Sequence, residues 1–89
     1  MATYALLKFK INNSFSEWEQ AFYASQPMAR KAGLIELFHG KSEEDPQTVH
    51  VLVHIYSKEA MDKFIQEAGE DIAESGHIME STEVTFLTN

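Results

Sequence analysis

Val49 to Tyr56 reads Val-His-Val-Leu-Val-His-Ile-Tyr, and no other stretch restricts the fold so tightly. Successive side chains of a strand point to opposite faces, so this alternation predicts a strand with two unlike sides. Val49, Val51, Val53 and Ile55 make one wholly apolar side. His50, Leu52, His54 and Tyr56 make the other, which suits a partly dry cavity or a subunit interface better than open water.

Ala2 to Ile11 repeats the pattern: Ala5, Leu7, Phe9 and Ile11 lie on one side and Tyr4, Leu6, Lys8 and Lys10 on the other. Asn12-Asn13-Ser14 then breaks it with turn residues. Ser16 with Glu19, or Ser14 with Glu17, fits a capping box at a helix start. Phe15, Trp18 and Phe22 recur at helical spacing and should pack on the sheet. Pro27 has no N–H and is expected to kink or restart this helix, with Ser25 capping the second segment. Gly33 stands where a left-handed C-terminal glycine belongs, after the favourable cations Arg30 and Lys31.

Leu34 to Lys41 reads as a second strand, joined to the third through the polar loop around Asp45-Pro46. Ser57 caps a second helix whose apolar stripe is Met61, Phe64, Ile65, Ala68 and Ile72. Gly76 ends it, and Ser81 to Thr88 forms the last strand. The order β-α-β-β-α-β predicts an α+β, ferredoxin-like domain spanning residues 1–89. Right-handed crossovers place the first and third strands centrally in a four-stranded antiparallel sheet, with both helices on one face. Which side of the second and fourth strands joins the free face stays open between Glu36/Phe38 and Leu37/His39, and between Thr85/Leu87 and Val84/Phe86.

A chain of 89 residues buries only about 60–65% of its unfolded surface, so a homodimer is a natural remedy. Its net charge of −7 opposes nucleic acid and anionic membranes, which require a concentrated basic surface. Lys8/Lys10 and Arg30/Lys31 are isolated pairs. The chain has no cysteine, which removes disulfides, thiolate metal sites and cysteine nucleophiles. Met1-Ala2-Thr3-Tyr4 carries no basic segment before an apolar run, so a cytoplasmic protein without a signal peptide is expected.

The order and length resemble the dimeric α/β-barrel superfamily, which includes antibiotic-biosynthesis-type and haem-degrading monooxygenases. Three stretches resemble, more narrowly, a family of short uncharacterised proteins from marine cyanobacteria: Asn13 to Trp18, Gly40 to Val49, and Gly76-His77-Ile78 running into Ser81-Thr82. The resemblance implies two sheets paired into a dimeric barrel. The monooxygenase branch typically uses an Asn on the first strand and a cavity Trp or Tyr. Here Asn12 stands only at the strand's end and Trp18 has core spacing, so no catalytic residue carries over.

On this reading the free face lines an enclosed lumen made of Tyr4, Leu6, Lys8, His50, Leu52, His54 and Tyr56. Lys8 and His54 would hold the polar or acidic head of a small, fatty-acid-like molecule, and Leu6, Leu52 and Tyr56 its body. Against this, Lys8 could snorkel to solvent or pair with Glu36. The alternative function is a cofactor-independent monooxygenase or isomerase acting on an aromatic, polyketide-like substrate, with His54 or His50 as general base. No cofactor is expected. His50 and His54 stand roughly 13 Å apart, too far to share a metal ion, and no metal site is expected. His39 and His77 read as isolated histidines near element ends. No phosphate-loop, dinucleotide, zinc-protease or serine-hydrolase motif occurs.

Overall fold

The core begins where β1 (Thr3–Ile11) and β3 (Thr48–Ile55) meet as the antiparallel centre of the sheet. Ala5 pairs with Val53, Leu7 with Val51 and Phe9 with Val49, so two apolar sides fall on one face. The computed structural model, which describes residues 1–89, continues with α1 (Phe15–Lys31), β2 (Leu34–Lys41), α2 (Lys58–Glu74) and β4 (His77–Thr88). The strand order is β2-β3-β1-β4, the ferredoxin-like arrangement, with the expected strands central. Ala5, Phe9, Ile11, Val49, Val51, Val53 and Ile55 are buried beneath the helices with Trp18 and Met61.

Both helices start where side chains replace missing backbone partners. Ser14 caps α1 in a full capping box with Glu17, the earlier of the two starts open in the sequence. Ser57 Oγ accepts from Ala60 N at the start of α2. Both helices end at glycines of positive φ, Gly33 (92°) and Gly76 (105°), a conformation that costs other residues a Cβ clash.

Three expectations need correction. Pro27 neither breaks nor restarts α1, which runs unbroken for 17 residues, so Ser25 caps nothing. Ser25 Oγ instead donates to the Phe22 carbonyl. Secondly, β4 begins at His77 rather than Ser81. Its early start is accommodated by a bulge. Lys8 pairs with Glu83 but Lys10 with Ile78, leaving four residues of β4 opposite Phe9. Ser81 Oγ closes the bulge by accepting from Lys10 N and donating to the Ile78 carbonyl. Bulges re-aim side chains, and this one turns Thr82 back towards His77.

Thirdly, a single parity does not describe β2. Glu36 pairs with Val53 and Phe38 with Leu52, so Leu37 is an extra residue in a bulge. Glu36 and His39 therefore both point to the helix side, while Ile35 and Phe38 share the free face with His54 and Leu52. Lys8 cannot pair with Glu36 across that face. On β4, Thr85 and Leu87 lie opposite Leu6 and Tyr4 on the free side.

Candidate functional site: a cleft between helices and sheet

α1 packs chiefly on β2, and α2 on β4 and β3. Between them lies an apolar cleft of about 790 Å³. That volume falls within the range of small-molecule sites. All four strands supply its floor, including Leu7, Val51, Val53 and Val84. Its walls include Trp18, Phe22 and Met28 from α1 and Met61, Phe64 and Ile72 from α2. The aromatic stripe predicted for α1 is present, with Trp18 centred 4.8 Å from Phe22 and 5.6 Å from Phe15.

Polar groups stand at opposite corners of this cleft. On β4, His77 stacks on Phe9 with ring centroids 3.7 Å apart. Its Nε2 lies 2.6 Å from Thr82 Oγ1. Burial pushes the imidazole down to about 4, so the ring is neutral at pH 7, one nitrogen donating and the other accepting. On β2, Glu36 lines the cleft with its Oε1 2.8 Å from His39 Nδ1. His39 Nε2 lies 2.7 Å from Glu19 Oε2, to which Tyr23 also donates. Two carboxylates on two ring nitrogens favour the form with both protonated, the imidazolium. Burial works against that charge, but hydrogen bonds and attraction from Glu19 and Glu36 hold its pKa above the ordinary value. The same His39 hydrogen bond, against opposing burial, lowers that of Glu19.

Six of the seven residues singled out in the sequence share one face of the sheet, but not this one. Tyr4, Leu6, Lys8, His50, Leu52 and His54 lie on the sheet surface away from the helices. Tyr56 follows β3 and is 83% exposed. Within that surface Tyr4 meets His54 edge-on at 5.5 Å, and Lys8 sits between His50 and Glu83. None of the seven lines the cleft. His77, Thr82 and Glu36 were missed as site residues. The bulges that orient Thr82 and His39 leave no pattern in a single sequence. His77 carried a signal in the apolar Ile78 and Met79 beside it, which suit a strand as well as a helix end. No group of three or more His, Asp or Glu side chains is arranged to hold a metal ion.

These features define a ferredoxin-like α+β fold, which solved structures of the antibiotic-biosynthesis monooxygenase group share. A protein named for that group from Bordetella bronchiseptica superposes with a TM-score of 0.76 at 14% identity, covering 99% of this chain and 96% of its own. SnoaB, a cofactor-independent oxygenase from Streptomyces nogalater, gives 0.67 at 11% identity, covering 99% and 92%. A monooxygenase from ActVA-Orf6 of Streptomyces coelicolor, in complex with nanaomycin D, gives 0.64 at 16%, covering 99% and 87%. At such identities the likeness is one of fold. No curated protein matches the chain. Residues 2–89 match the family described as Domain of unknown function (DUF3764), and the chain belongs to that family.

Proposed function

We propose that the protein binds a flat, apolar, aromatic molecule in the cleft between its helices and sheet. The observation that carries this reading is the cleft itself: an apolar volume with few polar groups, complete within one chain. Small-molecule sites are clefts of about this size lined mainly by apolar and aromatic side chains, which is the lining found here. Phe22 and Phe64, half-buried on the two walls, offer ring surface to an aromatic guest. An acid-headed, fatty-acid-like ligand held by Lys8 and His54 is the weaker reading, because the free face needs a second copy to close over it.

Trp18, the only tryptophan, lines the cleft and reports on it directly. Titration with 1-pyrenemethanol, which absorbs where tryptophan emits, should quench Trp18 with saturation at micromolar concentrations. Ala21→Phe, which fills the cleft from α1, should weaken that binding about ten-fold or more, since an overfilled pocket must displace its walls. Equal quenching in the two proteins removes the cleft from consideration.

A second reading, turnover of the bound molecule with oxygen, is favoured by the neutral imidazole of His77 inside the cleft. An oxygenase of this kind would convert a CH₂ group and O₂ into a carbonyl and water, with His77 receiving the first proton. Magnitude argues for binding first. A phenol-like proton at about pKa 10 moves to a base near 4 only with a cost of about 8 kcal/mol. Oxygen uptake with anthrone, lost in His77→Ala, would support turnover. Uptake retained by that variant would remove His77 as the base.

The free face carries exposed Leu6, Ile35, Phe38 and Leu87. A second copy laid across it would cover these side chains, and we assign this surface to a homodimer contact. Sedimentation at micromolar concentration should give a dimer, reduced to a monomer by Phe38→Asp. A wild-type monomer would end this part of the reading.

A further inference from the structure

The cleft has a charge character that restricts its guest. No Lys or Arg lines it, and its only charged side chains are Glu36, Asp71 and Glu74. Asp71 and Glu74 stand near the C-terminus of α2, where the helix dipole is already negative, and its last turn holds no basic residue. α1 ends in the opposite and favourable way, with Arg30 and Lys31. At the far corner Glu36 is held through Oε1 by His39, while its Oε2 makes no hydrogen bond within the chain. A fixed carboxylate with a free oxygen at an apolar wall accepts a proton donor, whereas a carboxylate guest would find no Lys or Arg on the lining to hold it.

We propose that the cleft selects ligands that present a hydrogen-bond donor, a hydroxyl or a protonated amine, to Glu36, and rejects ligands that carry a carboxylate. His39 acts through Glu36 as a positioning residue: its imidazolium fixes the carboxylate's direction. Glu19 holds His39 from α1 but does not line the cleft. The inference rests on the cleft being the binding site, and it names the chemistry that site admits.

Three probes with one ring system separate the possibilities: 1-pyrenemethanol, 1-pyrenemethylamine and 1-pyrenecarboxylate. Each is titrated against the full chain by Trp18 quenching. The alcohol and the amine should bind at least about ten-fold more tightly than the acid, the scale set by one charge-assisted hydrogen bond gained or lost. Glu36→Gln should narrow that ratio to about three-fold or less, and Glu19→Gln, which loosens His39, should narrow it part of the way. An amine ahead of the alcohol would identify a cationic guest, and the two equal a neutral hydroxyl; either outcome supports the selection. An acid that binds as tightly as the alcohol overturns it, as does an unchanged ratio in Glu36→Gln. Should that variant fail to fold by circular dichroism, the wild-type ratio and its decline in 0.5 M salt decide the question. Quenching by none of the three probes would instead overturn the binding reading beneath it.

Discussion

His77 and His39 occupy similar positions on opposite edge strands and respond to pH in opposite ways. Burial holds the folded pKa of His77 at about 4, below its unfolded value, so its contribution is complete above about pH 6.5 and lost as pH falls towards 4. Allowing for partial exposure, we expect about 2 kcal/mol to be lost over that window. His39 has a raised folded pKa, so its contribution is complete below about pH 6.5 and lost as pH rises through the folded value. Urea titrations across pH should therefore show His77→Gln flattening the acid limb and His39→Gln flattening the alkaline one. Identical pH profiles in wild type and His77→Gln would contradict the assignment. Asp45 adds to the acid limb at lower pH: hydrogen bonds from Lys10, Thr48 and the Gln47 backbone hold it at about 2. Gly76 combines positive φ with a close approach, since a Cβ there would collide with the Asn13 carboxamide, whose Nδ2 donates to the Ser75 carbonyl. Gly76→Ala should cost about 2 kcal/mol or more in urea denaturation.

At the scale of elements, regular patterns were legible and their interruptions were not. The alternation of β1 and β3, the stripe of α2 and the caps Ser57 and Gly33 appear in the structure where the sequence placed them. Each is a local signal backed by burial. Leu37 and the Met79–Thr82 stretch escaped because a bulge depends on the partner strand. One residue inserted in β2 placed Glu36 and His39 on the same side, where periodicity alone had set them apart. Pro27 failed in the other direction. A local cost of about 3 kcal/mol was overcome by α1's packing on the sheet through Phe15, Trp18 and Phe22. Relief of that cost is measurable. Pro27→Ala restores a donor to the Tyr23 carbonyl and should stabilise the protein by about 1–2 kcal/mol in urea denaturation, the gain trimmed by a looser unfolded chain. Destabilisation instead would contradict this account of Pro27.

The whole molecule is a four-stranded sheet with two usable faces. The sequence marked the free face, because His50, His54 and Lys8 are conspicuous among valines. The helix-side cleft was invisible, since a space between two helices depends on how far apart they stand, and apolar stripes say only that they pack. On the proposed reading the two faces divide the work: the free side suits a second copy, and the cleft on the covered side takes the guest. A chain with this small a core would gain from both, because ligand and partner each stabilise a folded state they bind by mass action. Binding of 1-pyrenemethanol should therefore raise the urea midpoint of wild type and leave that of Ala21→Phe nearly unchanged.

Methyl NMR of the isotope-labelled protein, titrated with 1-pyrenemethanol, separates the two faces most directly. Ring-current shifts confined to Leu7, Val51, Val53, Met61 and Ile72 are the predicted result. Shifts confined to Leu6, Ile35, Leu52 and Leu87 would move the site to the free face and contradict the account.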